Sequence, residues 1–325
     1  MPKRGCLGCS FPVIIGVAVI VLALLVVSLL GGPVGSKLLG LVGIHFELPA
    51  WASVLKPEPK LPAEAILHVG GFLITNTMIA AWITTIVLVV VSILATRRMK
   101  LVPAGLQALL EFVLELLLNF CNSVAGEKNG RKFFPVVATI FLFVIVNACL
   151  SLIPGYGSIV VIEAGHKMVP LLRGANTDLN VPLVLALFSF VAVEYFGIRT
   201  LKLRYLKKFI NVSKLGSGVK MLFMGKVKSA FAEIFFGIID VAVGLLEALS
   251  EFIRIVSFTF RLFGNMTAGE ILLLIAAFLV PWVFPVIFYG LELLVGLIQA
   301  VVFGGLTLVF LTMAVASHDE HSEKH

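Results

Sequence analysis

Between about Ala230 and Pro281 an apolar run holds a few ionisable and amide side chains at helical intervals. Glu247, Arg254 and Arg261 are seven residues apart, so on a helix they drift by only about 20° per step and share a face. Asn265 follows Arg261 at i+4 on nearly the same face. Glu251 stands three residues before Arg254, where an ion pair is expected. Glu270, nine residues past Arg261, points to the opposite side. A second apolar run carries Glu292 and Gln299, again seven apart.

Which of these groups titrate decides the chemistry. Glu247, Glu270, Glu292 and, in an earlier loop, Asp178 can pass protons, whereas an arginine stays protonated at any biological pH. Arg261 is therefore a fixed positive charge, a barrier or counter-ion between two relays. Such a charge in mid-membrane costs roughly 2.5–3.5 kcal/mol on insertion scales and marks a functional site by default. No acid lies at i±3 or i±4 to pair with it, so its carboxylate is expected in trans, from another subunit. The competing structural reading, a buried ion pair that only specifies packing, lacks that cis partner. Glu270 and Glu292 could form a satisfied interhelical pair, but two unneutralised carboxylates near a membrane face suit a proton or cation path better.

These side chains need helices of unusual length. The first is expected over about 231–280 and the second over about 286–316, with Pro281 and Pro285 at the turn between them. Fifty helical residues measure roughly 75 Å, over twice the ~30 Å membrane core. Strong tilt is expected, with a kink at Gly237 or Gly244 as a further possibility. In an antiparallel hairpin Glu270 and Glu292 meet near the turn, and Asn265 and Gln299 meet deeper, near Arg261. Gly264, Gly269, Gly304 and Gly305 thin the helices where others approach.

The rest of the chain fits an integral membrane protein. Of 325 residues 60% are hydrophobic and only 13% charged, which excludes a soluble domain of this size. The formal charge of +7 does not indicate nucleic acid, because the excess is confined to loops. Phe11–Leu30 is uncharged and long enough to span; it is read as a retained span rather than a signal peptide, for want of a cleavage site. Further spans are expected at about 72–95, 133–153 and 181–198. Residues 103–122 repeat Gln107, Glu111, Glu115 and Asn119 every four positions, one polar stripe on an apolar helix. That makes about six membrane helices plus an amphipathic one, an all-α membrane fold ending in a long tilted hairpin at 231–316. Residues 1–71 form an extra span and outer loop, and 72–325 the main domain. Cys6 and Cys9 lack a second pair to complete a metal site, and no cofactor is expected.

Charge orients the spans. Residues 199–228 carry nine Lys/Arg and no Asp or Glu, and 97–132 carry six basic and three acidic residues. By the positive-inside rule both lie inside, with Lys3 and Arg4, while the balanced loops 31–71 and 154–180 lie outside. Both termini then face the cytoplasm.

At this point the motifs are familiar. R-L-F-G-N-M-x-A-G-E at Arg261–Glu270, E-L-L-V-G-L-I-Q-A-x-V-F at Glu292–Phe303 and T-D-L-N-V at 177–181 resemble subunit a of the F-type ATP synthase membrane sector. The similarity is strong over 250–316 and extends from about residue 72. The resemblance implies a helix bundle whose two tilted helices pack against a rotating ring of c subunits, with peripheral-stalk b subunits as further partners, in a bacterial cell (inner) membrane. It implies that Arg261 matches the family's essential arginine facing the ring carboxylate. Asn265, Glu270, Glu292 and Gln299 match outer half-channel positions, Glu247 an inner one, and Asp178 and Asn180 outer-side polar positions. The subunit itself is then a non-catalytic channel component. Many relatives carry His where this chain has Glu292, so outer loading is expected to follow a different pH dependence. The runner-up class, a self-contained secondary transporter with an Arg/Glu site at the midplane, predicts inverted repeats with broken helices; neither is visible.

Overall fold

The computed structural model describes residues 11–41, 61–69, 71–163, 167–202, 205, 209, 216–217, 227–281 and 283–316. The expectations for Lys3, Arg4, Cys6 and Cys9, for most of the basic loop and for the tail after 316 fall outside the described residues. The architecture is all-α. Helices α1 (Phe11–Leu30), α2 (Pro33–Leu41), α3 (Asn76–Thr96), α4 (Leu106–Ser151), α5 (Asn180–Leu201), α6 (Val227–Leu279) and α7 (Phe284–Ala316) are joined by two short antiparallel hairpins, β1 (Ala65–Val69) with β2 (Phe72–Thr75) and β3 (Val160–Glu163) with β4 (Lys167–Pro170). By length and composition α3, α4, α5 and α7 can each cross a membrane, and Val13–Leu29 forms a shorter apolar helix. The chain is a multi-pass membrane protein.

The spans fall where hydropathy put them, within a few residues. The α2 helix and both hairpins are additions; they lie in segments whose mixed composition carries no sustained period. The expected amphipathic helix and the span after it are two arms of α4, joined at Gly126 with φ 76° and ψ 158°. Only glycine takes that conformation without strain. A Cβ on Gly130 would collide with the backbone of Asn122, so the arms fold back sharply at this corner. On the first arm Glu111, Glu115 and Asn119 are exposed while Leu117 and Cys121 are buried. Gln107 is the buried end of that stripe, and its amide donates to Glu111 at 2.7 Å.

Helix α6 has 53 residues, about 80 Å at 1.5 Å per residue, and runs on through Gly237 and Gly244. A helix that long cannot stand upright in a ~30 Å core; it must lie steeply inclined. Its partner α7 packs mainly on α4, and α5 wedges against both α6 and α7. One apolar core joins Ile140, Phe141 and Val144 of α4 to Phe258, Leu262 and Met266 of α6 and Ala300 and Phe303 of α7. A second gathers Phe133, Val193, Tyr205, Leu308 and Leu311. Helix α1 ends against the α6–α7 turn, where the Ser28 hydroxyl contacts the Pro281 carbonyl and Gly32 abuts the Leu279 backbone with no room for a Cβ.

Candidate functional site

Arg261 lies on the outward face of α6. It is exposed, as are Ser257, Phe260, Gly264, Asn265 and Ala268, a set at i, i+3 and i+4 spacings that forms one continuous stripe. A Cβ on Gly264 would meet nothing within 4 Å, so this stripe is thin beside the arginine. Arg261 makes no hydrogen bond or ion pair among the described residues. Arg254, one heptad earlier, is satisfied instead: its Nη1 stands 2.6 Å from Glu251 and its guanidinium 3.6 Å from the Phe310 ring centroid. The expected ion pair is there.

The amide pair is there too. Asn265 Nδ2 donates to Gln299 Oε1 at 2.8 Å. Gln299 is 3% exposed, and its Nε2 has no partner among the described residues. This bridge connects the Arg261 face of α6 to the interior between α6 and α7.

Nearer the turn, Glu270 and Glu292 line one cavity of about 170 Å3. Its other walls include Asn147, Tyr156, Arg173, Asn176 and Met266. The Glu292 side chain is buried and lies flat on Gly269, where any Cβ would run into its carboxylate. Glu270 is held by Arg173, whose Nε donates to both carboxylate oxygens at 3.1 and 3.0 Å and whose Nη2 is 3.0 Å from Oε2. Arg173 Nη1 also reaches the carbonyls of Leu61 and Pro62. The cavity wall carries polar atoms with nothing to bond: both amide atoms of Asn176 and the Tyr156 hydroxyl are buried and unpartnered among the described residues. Buried polar groups in such a space call for water, and the volume has room for several molecules. Burial pushes the Tyr156 phenol above its ordinary range, so at neutral pH it keeps its proton and remains a donor.

Asp178 and Asn180 are close by but face elsewhere. Asp178 is buried and accepts from Thr77 at 3.0 Å and from Asn180 at 3.2 and 3.4 Å. Both line a separate, mostly apolar cavity with Thr77, Met78, Phe143 and Leu185. The turn Ala175–Thr177 divides the two spaces, and Thr267 of α6 donates to the Thr177 carbonyl across it at 3.4 Å. Glu247 is half-buried, on the other side of Arg261 from Glu270. At 1.5 Å per residue it lies about 21 Å before the arginine, and Glu270 about 14 Å after it.

The structure thus joins Asn265 to Gln299 and brings Glu270 to the cavity of Glu292. Asp178 and Asn180 stay in the next compartment. Arg173, Asn176 and Tyr156 were not singled out by sequence reasoning. Arg173 is the one loop cation within five residues of Asp178, and that proximity was the only available cue.

Comparison with known proteins places the sequence in a family. Residues 78–312 match the family model described as ATP synthase A chain. The chain is 32% identical over 246 residues to an ATP synthase subunit a of Gloeobacter violaceus, covering 76% of this chain and 86% of the relative. It is 33% identical over 239 residues to one of Helicobacter pylori, covering 74% and 89%. A third, from Campylobacter fetus, is 32% identical over 266 residues, covering 81% and 99%. Family match, identity and coverage agree over most of the chain, which belongs to the ATP synthase A chain family.

Proposed function

We propose that this chain is the proton-translocating stator of a rotary ATP synthase, a non-catalytic subunit that forms two half-channels against a ring of c subunits. The observation that carries this reading is an exposed Arg261, without a partner among the described residues, on a thin helix face of the same hairpin that carries the Asn265–Gln299 bridge and an acidic cavity nearer its turn. Protons enter from outside through that cavity by way of Glu270 and Glu292 and load a ring carboxylate. Asp178 and Asn180 serve the outer approach from the neighbouring compartment. After nearly a full turn the proton leaves inside, near Glu247. Arg261 keeps the arriving ring carboxylate ionised and separates the two paths by its fixed charge.

The assembly follows from this role. The α6 stripe through Ser257, Arg261 and Gly264 packs on the ring, and b subunits of the peripheral stalk bind elsewhere on the bundle. In this reading residues 72–325 form the working unit, and 1–71 an added span and loop. The site is a bacterial inner membrane with both termini in the cytoplasm, supported by the basic segments at 97–132 and 199–228. Arg261→Ala tests the reading: it should abolish proton-driven ATP synthesis while the complex still assembles. Near-normal synthesis would overturn it.

A further inference from the structure

At the end of the bundle away from the acidic cavity, three helix ends converge on a second polar space of about 630 Å3. The start of the second arm of α4 supplies Asn129, Arg131, Lys132, Phe133 and Pro135. The end of α5 supplies Phe196, Arg199 and Thr200, and the end of α7 supplies Val315. Three of these nine side chains are cations and none is acidic. Clustering like charges costs free energy unless an anion sits among them.

Among the described residues little offsets that charge. Arg131 bonds Glu127 at 3.0 Å, but both side chains are more than two-thirds exposed, so the pair contributes little. Lys132 has no ion-pair partner among the described residues. Arg199 donates to the Tyr195 hydroxyl at 3.0 Å and lies 5.9 Å from its ring centroid. Both contacts orient the guanidinium, and no described carboxylate pairs with it. The apolar side of the space is rigid by contrast: Phe133 is 1% exposed and meets Phe196 edge to face at 5.1 Å.

Depth identifies the anion. From Lys132 to Ser151 is nineteen residues of α4, and from Asn180 to Arg199 nineteen residues of α5. Each is about 29 Å at 1.5 Å per residue, one hydrocarbon thickness. The cations therefore lie at headgroup level when the acidic cavity lies at the opposite surface. A pocket with cations at that depth and aromatic walls below them matches a molecule with a charged head and an apolar body. We infer that this space is a binding site for the phosphate headgroup of an anionic phospholipid, held by Arg131, Lys132 and Arg199 with its glycerol and upper acyl carbons against Pro135 and Phe196. Guanidinium groups suit this role because they meet phosphate oxygens through two parallel hydrogen bonds.

The test uses the purified full-length chain in detergent, with native mass spectrometry during titration by phosphatidylglycerol, phosphatidylcholine or inorganic phosphate. The inference predicts retention of phosphatidylglycerol and not of phosphatidylcholine. Combining Arg131→Gln, Lys132→Gln and Arg199→Gln should weaken that binding by about a hundredfold, from roughly a fivefold share for each cation. The charge-preserving pair Arg131→Lys and Arg199→Lys should bind within severalfold of the parent, and so should Lys100→Gln, outside the pocket. If the triple variant does not fold, the comparison of lipids on the parent and on the lysine pair still decides. Equal binding of phosphatidylcholine, parent-like binding by the triple variant, or displacement of the lipid by inorganic phosphate at equal concentration would overturn the inference; the last result would mean a site for free anions.

Discussion

The guanidinium of Arg173 and the carboxylate of Glu270 meet at 3.0 Å across 97 positions of sequence. One belongs to the loop before α5 and the other to the C-terminal part of α6, so the contact closes the acidic cavity on its loop side. It also fixes the rotamer of Glu270 through three donor–acceptor contacts. Arg173→Gln removes the charge and leaves Glu270 unbraced. An arginine 9% exposed makes this a part-buried pair, and losing one partner costs about 1–3 kcal/mol. Proton-driven ATP synthesis in inverted vesicles is expected to fall several-fold, with Arg173→Lys intermediate because one point charge replaces a fork. Parent-like rates in Arg173→Gln would remove the pair from the path.

Glu292 is the buried carboxylate of the cavity. Glu292→Gln keeps its shape and removes its titration. Outer loading should slow, and the pH optimum of synthesis should move. An unchanged pH profile would show that protons do not pass through this residue.

Gly269 sets where Glu292 lies. Gly269→Ala puts a methyl group into the carboxylate's space, which the flexible end of Glu292 must vacate. We expect assembly to be retained and ATP-driven proton pumping, read by quenching of a pH-sensitive dye, to drop in step with the displacement of Glu292. Gly264→Ala has open space around it within the chain. It should leave the isolated subunit as stable as the parent and weaken its co-purification with the ring.

Asn176 separates wetness from stability. Both of its amide atoms are buried and without a partner among the described residues, so Asn176→Leu removes polar groups whose burial is unfavourable. Thermal stability should stay level or rise while proton flux falls, because the cavity loses two of the groups that hold water. A variant that loses stability without losing flux would contradict the hydrated cavity.

Much of this arrangement was legible in the sequence, for reasons particular to each element. The Asn265–Gln299 bridge follows from seven-residue spacings on two antiparallel helices around a proline turn, and the shared cavity of Glu270 and Glu292 follows from the same hairpin. Intervals on a long helix are metric, so they translate directly into distance. Arg173 was not legible because its contact depends on the path of the loop between α4 and α5, which folds through β3 and β4 and has no period to read. Asp178 shows the same limit. Its proximity to the acidic cavity is set by sequence, but the turn at 175–177 aims its carboxylate at Thr77 and away from Glu292. The corner at Gly126 was visible only as a polar interval, since one residue with positive φ bends the chain while the residues beside it remain helical.

The central claim is that the positive charge of Arg261 separates two proton paths. Its most direct test is passive proton conductance of vesicles bearing the assembled Arg261→Ala complex, stripped of the soluble ATPase and measured beside the parent. The account predicts that the variant leaks protons under an imposed gradient faster than the parent and makes no ATP when the soluble part is restored. Conductance equal to the parent, with ATP synthesis intact, would contradict it.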